Sequence, residues 1–286
     1  MKISSDSGGA WTTVIRPKGR WLDLRLGELW QYRYLVLLLV RRDFVAQYKQ
    51  TILGPLWHIV QPLLTTLTFT VVFGRIARIP TDSLPPFLFY FAGSIVWAYF
   101  STNFTKTSNT FISNVNIFGK VYFPRLAVPV SLLGSSLIGF SVQFVIFLLF
   151  LAYFSIQGAP VSPNLWILAT PVLLALMAGL GLGGGIILSA ITTRYRDLAN
   201  LVTFGVSLLM YLTPVVYPLS AVPKRYRLLV SANPLTPIVE GFRFAFLGAG
   251  SVGPGDLAYS AIWTIVILLV GVLIFNRVER TFMDTV

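Results

Sequence analysis

Cysteine, histidine and acidic residues are scarce or absent in this sequence of 286 residues. The lack of cysteine excludes disulfides, thiolate metal sites and cysteine nucleophiles. His58 is the only histidine, and Asp and Glu together number 10. Side chains for general acid–base catalysis and for metal binding are therefore few, and we expect neither a catalytic residue nor a metal site in this chain.

Apolar residues are abundant. They make up 55% of the sequence, and the mean hydropathy is +0.75, far from the average of soluble proteins. Only helices and closed barrels satisfy their backbone hydrogen bonds in lipid, and the long uninterrupted apolar runs are not the alternating pattern of a barrel. The composition predicts an all-α polytopic membrane protein.

Charged residues divide the sequence into windows that suit membrane-spanning helices, which need about 20 mostly apolar residues each. One window, 126–193, has 68 residues, enough for two spans, and the turn formers at 157–164 divide it. The sequence therefore predicts six spans, drawn from the charge-free windows 50–74, 83–105, 126–193, 198–223 and 257–276.

The positions of Lys and Arg predict the orientation of these spans. One side holds 16 of the 22 basic residues, in segments 1–49, 106–125, 194–196 and 277–280, and the other side holds 6. Because cytoplasmic loops are enriched in Lys and Arg, we expect both termini in the cytoplasm. Residues 1–20 lack the apolar stretch of a secretory signal and are interpreted as a flexible extension.

Residues 21–50 form a cytoplasmic segment before the predicted six-span domain, 51–286. Its apolar run, 35–40, is too short to span and lies between Arg33 and Arg41. Aromatic and basic residues in this segment favour an amphipathic helix along the membrane interface, with an ordinary soluble helix as the alternative. Arg41, Arg42 and Arg196 belong to cytoplasmic patches that either seat a soluble partner or only fix the topology.

For two features within the spans, we favour a structural role over a functional one. His58 lies near the cytoplasmic start of the first span, where a structural role is favoured over a proton relay, since no other ionisable group lies in the spans. The glycine-rich stretch 179–185 is not followed by the Lys and Ser or Thr of a phosphate-binding P-loop. We interpret it as a helix-packing surface, and we expect that this chain does not bind ATP by itself.

Aromatic residues are dense in the second span. Phe89, Trp97, Phe100 and Phe104 follow each other at helical spacing on one face. This stripe either lines a path on which sugar rings stack or packs against lipid and other helices.

Between the fifth and sixth spans, prolines divide the chain into short pieces, which predicts re-entrant or gate helices on the outer side, at 219–249. We place Tyr217, Tyr226, Glu240 and Arg243 in this outer gate. Glu240 and Arg243 are three residues apart, so they pair on one helix face, either as a surface ion pair or in contact with the substrate.

Several motifs, weak singly, together resemble the membrane subunit of ABC-2 type exporters that move polysaccharides such as O-antigen, capsule or teichoic acid. The motifs are LVRRDF at 39–44, YKQTILGPLW at 48–57, QP at 61–62, NIFGKVYFP at 116–124, YRDL at 195–198, LTPVVY at 212–217 and NPLTP at 233–237.

The resemblance implies an interface helix followed by six spans, a homodimer, and a separate ATPase in two copies that carries ATP and Mg²⁺. It also implies a coupling helix after the second span, here within 108–125 and including Asn114, Asn116, Ile117 and Phe118. The implied cargo is a lipid-linked polysaccharide, and the implied location is the bacterial inner membrane. Alternatives are an exporter of teichoic acid, drug or lipid with this architecture and, from another class, a polytopic glycosyl- or acyltransferase.

Overall fold

The computed structural model describes residues 26–49, 51–118, 123–192, 197–250 and 252–285. All regular elements within those ranges are helical, which confirms the all-α class. The α-helices are α1 Leu26–Gln31, α2 Arg33–Tyr48, α3 Trp57–Phe69, α4 Pro86–Ser108, α5 Thr110–Phe118, α6 Ala127–Ile156, α7 Thr170–Thr192, α8 Leu198–Leu212, α9 Lys224–Ser231, α10 Thr236–Leu247 and α11 Pro254–Thr285. The predicted extension, 1–20, lies outside the described residues.

Among the described residues, four helical stretches are long and apolar enough to cross a membrane: Gly54–Ile76, Ala127–Ile156, Leu165–Thr192 and Pro254–Arg277. The first joins a short 3₁₀ turn, α3 and a π-helical segment, Thr70–Ile76, and the third joins a 3₁₀ turn to α7. The other two predicted spans correspond to α4, of 23 residues, and α8, of 15 residues. Pro214, directly after Thr213 at the end of α8, cannot continue a helical hydrogen-bond ladder.

Helix α7 is central because glycines let two helices approach its backbone. A Cβ on Gly185 would lie 2.7 Å from Cβ of Thr107 on α4, and one on Gly183 would lie 2.9 Å from the backbone of Ile267 on α11. Close contact of this kind needs small residues, since helices in lipid associate by packing. The packing interpretation of 179–185 agrees with these contacts.

A separate cluster of buried apolar residues joins α2, α5, α6, α7 and α11 at one end of the bundle. Leu39 of α2 and Phe111 of α5 belong to it. Phe111 stacks on Phe275 of α11 with ring centroids 4.9 Å apart. At the same end, the Thr192 hydroxyl at the end of α7 donates to the Ser108 carbonyl at the end of α4, at 2.8 Å. These contacts fix α5 to the ends of three long helices.

Helix α10 lies at the opposite end and is capped by the turn between α6 and α7. The last carbonyls of a helix have no partner within it. Here the Asn164 side-chain amide donates to the Phe244 carbonyl at 2.8 Å, and the Asn164 and Ser162 backbone N–H groups donate to Ala245 and Leu247. Gly248 follows with a φ of +76°, the left-handed conformation that commonly ends a helix.

Candidate functional site

The predicted gate region contains a buried arginine that holds the chain between α8 and α9. The Arg243 guanidinium donates to the carbonyl of Pro214 at 2.5 Å, to the carbonyl of Val215, and to Oε1 of Glu240 at 3.1 Å. Both side chains of the pair are almost fully buried, with 1% and 4% exposure. We call Arg243, Glu240 and the two carbonyls the arginine clamp. Its effect is to satisfy irregular backbone that has no helical partners.

Helix α4 packs against the arginine clamp. The guanidinium carbon of Arg243 lies 3.8 Å from the ring centre of Phe89, which is a cation–π contact. Gly93, one turn further along, leaves room for the guanidinium and for the Val215 carbonyl: a Cβ there would lie 2.5 Å and 2.7 Å from them. Residues from α4, α10 and the α8–α9 connection therefore meet at one point.

The structure brings Glu240 and Arg243 together, as their spacing predicts. The alternative of a surface ion pair is wrong, because both side chains are buried beneath the connection between α8 and α9. Burial raises the pKa of Glu240, and the neighbouring Arg243 opposes this shift. Tyr217 contributes its carbonyl at 3.5 Å from Arg243, while its hydroxyl donates to the Tyr211 carbonyl. Tyr226 is half-exposed, with Arg225 over its ring. It does not join the arginine clamp.

The predicted aromatic stripe on α4 is mostly buried within the chain. Phe89 lies under Arg243, and Trp97 and Phe100 are 7% and 3% exposed. Phe100 contacts the rings of Trp97 and Phe104 at centroid distances of 5.3 and 5.5 Å. This burial favours the packing interpretation in this conformation, and a sugar path along these rings stays a prediction.

The predicted coupling residues that the structure describes lie at the end of the bundle that carries α2 and α5. Asn114 is buried, and its side-chain amide donates to the Thr110 carbonyl of its own helix at 3.0 Å. Arg41 is exposed, and Arg42 pairs with Asp43 at 2.7 Å. The backbone of Asn116, Ile117 and Phe118 belongs to α5, whereas their side chains, and the whole of Arg196, lie outside the described residues.

A polar cavity of about 280 Å³ lies between α2, α3, α4 and α6. Its lining includes Lys106, His58, Gln61 and Gln143 together with several Ser and Thr hydroxyls. The His58 ring lies against Gly139 of α6, where a Cβ would be only 2.8 Å from the ring. Pro62 also lines the cavity and has no N–H to donate to the carbonyl of His58, four residues earlier.

This cavity was not predicted from the sequence, although the sequence contains a signal for it. Polar residues recur at helical spacing on three helices: Gln61 and Thr65 on α3, Thr102 and Lys106 on α4, and Ser136 with Gln143 on α6. Each stripe is short within an apolar helix. Only the relative rotation of the three helices turns the stripes towards one another.

The amino-acid sequence is similar to those of transport proteins. The family described as "ABC-2 type transporter" matches residues 34–247. O-antigen export system permease protein RfbA of Klebsiella pneumoniae is 26% identical over 251 residues, 87% of this chain and 94% of that protein. The protein of the same name from Myxococcus xanthus is 27% identical over 263 residues, 91% of this chain and 98% of its own length. Polysialic acid transport protein KpsM of Escherichia coli is 24% identical over 249 residues, 85% and 93% of the two chains.

Proposed function

Because this chain belongs to the ABC-2 type transporter family, we propose that it is the membrane permease of an ATP-driven exporter that moves a polyprenyl-linked polysaccharide, such as O-antigen, across the bacterial inner membrane. Relatives named for O-antigen export and for polysialic acid transport support a polysaccharide cargo. A separate ATPase subunit binds ATP and Mg²⁺, and the complex holds two copies of this subunit.

The observation that carries this proposal is the attachment of α5 to the long helices. Phe111 of α5 is 1% exposed and stacks on Phe275 of α11, and Leu39 of α2 belongs to the same buried cluster. Interiors are close-packed and transmit displacement. A push on α5 by an ATPase therefore reaches α4, α7 and α11 together, which is what a coupling helix requires.

We propose that α4 and α8 complete a set of six spans with the four long apolar stretches, and that both termini are cytoplasmic. A 23-residue helix is about 34 Å long, enough to cross the hydrocarbon core. The basic residues support this orientation, since α2 and α5 then lie on the side that holds 16 of the 22 Lys and Arg. Trp30 of α1 and Tyr34 and Leu38 of α2 are exposed, which suits helices lying in the membrane interface.

The proposed assembly contains two copies of this chain. Large apolar side chains of α3 and α8, among them Leu64, Leu67, Phe204 and Tyr211, are about half-exposed in the single chain. Export of teichoic acid, drug or lipid by the same architecture is the second candidate. The polytopic transferase is disfavoured, because one histidine and few acidic residues leave little for acid–base chemistry.

Gene deletion in the native bacterium tests the transport function. We expect the lipid-linked glycan to accumulate inside the deletion strain and to return to the cell surface when the gene is restored together with that of its ATPase. Surface glycan at the wild-type level in the deletion strain would contradict the proposal.

A further inference from the structure

We propose that the polar cavity between α2, α3, α4 and α6 binds the phosphate group of a membrane lipid. The cytoplasmic position of this site rests on the proposed function, because the orientation of Lys106 follows from the proposed topology. Two lipids share the required chemistry: the diphosphate of the polyprenyl carrier and the phosphate of a bulk anionic phospholipid.

The cavity carries the positive charge of Lys106, and no carboxylate stands among the described residues that line it. Within the described part of the chain, the Lys106 ammonium makes one long hydrogen bond, 3.4 Å to Oε1 of Gln47. Asp43 of α2 attracts Lys106 through space without a hydrogen bond to it: Oδ1 is paired with Arg42, and Oδ2 is buried without a hydrogen-bond partner in the described part of the chain. An incoming anion therefore supplies the partner that a half-buried ammonium needs.

Neutral donors surround this charge. Thr65, Thr102 and Ser135 line the cavity, and their hydroxyls make no hydrogen bond with another described residue. Oε1 of Gln143 is buried there without a partner. A 180° turn of this amide presents its NH₂ group to a phosphate oxygen instead. Together, an ammonium, hydroxyls and amides form the donor set that binds phosphate oxygens in proteins.

Size and depth restrict the ligand to a lipid headgroup. A cavity of about 280 Å³ lies at the lower end of small-molecule sites, so it accommodates a phosphate or diphosphate but not a polymer. Lys106 is two residues from the end of α4, at the level of lipid phosphates in the proposed topology. Trp57, at the edge of the cavity, is a typical interfacial residue. Basic pockets between helices on the cytoplasmic side bind lipid headgroups in other membrane proteins.

Native mass spectrometry of the full chain in neutral detergent tests the site with three probe lipids: phosphatidylglycerol, a polyprenyl diphosphate, and a phosphate-free diacylglycerol. We expect Lys106→Gln to weaken binding of a phosphate lipid about tenfold, because it removes one charge-assisted hydrogen bond. Lys106→Arg should restore the binding. Arg277→Gln is the control, since it removes an exposed charge on α11, outside the cavity.

The results separate the two sources of phosphate. If Lys106→Gln weakens binding of the polyprenyl diphosphate alone, the site belongs to the carrier lipid. If it weakens binding of both phosphate lipids, the site belongs to anionic lipids in general. Unchanged binding in Lys106→Gln, an equal loss in Arg277→Gln, or an equal loss with diacylglycerol overturns the proposal. Thr102→Val, which keeps the shape of the side chain, repeats the test if Lys106→Gln does not fold.

The outcome is also distinguishable from a failure of the transport function. If deletion of the gene leaves glycan export unchanged while phosphate lipids still bind through Lys106, the exporter proposal fails and the cavity remains a lipid site. If export requires the chain but Lys106 variants bind every probe normally, the cavity inference fails alone.

Discussion

Glu240→Gln tests the arginine clamp, because it removes one charge of the buried pair and keeps the shape of the side chain. Arg243 then keeps its hydrogen bonds to Pro214 and Val215 and its contact with Phe89, but it loses its counter-charge. Removal of one partner of a buried pair costs about 3–5 kcal/mol. Since the Gln oxygen still accepts a hydrogen bond from Arg243, we expect a loss near the lower end, about 3 kcal/mol.

Reversible unfolding of the purified protein, by titration of SDS into mild-detergent micelles, measures this change in the free energy of unfolding. The matched control is Asp256→Asn, because Asp256 is exposed and the Asn oxygen can still accept from the Gly253 N–H. We expect this control to change stability by no more than about 0.5 kcal/mol. If Glu240→Gln lowers the free energy of unfolding by no more than the control does, the buried pair does not stabilise the fold.

The double variant Glu240→Leu with Arg243→Met separates the ion pair from the backbone contacts. Replacing a buried pair by apolar residues is often neutral, since both desolvated charges disappear together. Here the carbonyls of Pro214 and Val215 lose their donor as well, at about 1–3 kcal/mol for each buried group. We therefore expect the double variant to remain destabilised. Wild-type stability in this variant would show that the carbonyl contacts contribute nothing.

Four further predictions address topology, coupling and the aromatic stripe. The purified chain should hydrolyse no ATP without a partner; activity in a clean preparation would contradict this. Alanines at Asn116, Ile117 and Phe118 should reduce co-purification of the ATPase or uncouple its hydrolysis from export, and unchanged export with unchanged complex yield would refute the coupling role. Trp97→Ala should lower export with a normal yield of folded complex if the ring contacts sugar, whereas packing alone predicts that yield falls too, by the burial loss of about 3–5 kcal/mol. Because the chain lacks cysteine, single cysteines should react with an impermeant maleimide from the cytoplasm at positions 8, 118 and 195 and from outside at 80, 160 and 228, and reversal at two sites would contradict the orientation.

The positions of the long helices were predictable because lipid simplifies the problem. Without water, each backbone N–H must bond within its own helix, so a charge-free window such as 257–276 has one stable form, and α11 occupies it. The glycines at 179–185 were predictable for the same reason, since helices without a hydrophobic driving force between them depend on close packing. Local composition decides both features.

The burial of the Glu240–Arg243 pair was not predictable, because it depends on segments that are distant in the sequence. The spacing of three residues puts both side chains on one face of α10. Whether that face meets water depends on the carbonyls of Pro214 and Val215, and on the ring of Phe89 on α4. A local rule therefore identifies the pair but assigns it to the surface.

Gly93 shows how a distant contact of this kind can be recognised from the sequence. A glycine inside an apolar helix costs about 1 kcal/mol relative to alanine, so its presence indicates a close approach by another group. At Gly93 that group is the Arg243 guanidinium, and at Gly139 it is the His58 ring of the polar cavity. By contrast, a Cβ on Gly205, on the exposed face of α8, meets no atom within 4 Å. Gly205→Ala should therefore keep or raise stability, whereas Gly93→Ala and Gly139→Ala should lower it by the 1–3 kcal/mol typical of overpacking. The same SDS titration compares the three variants, and equal stability among them would mean that neither glycine is required for the contact beside it.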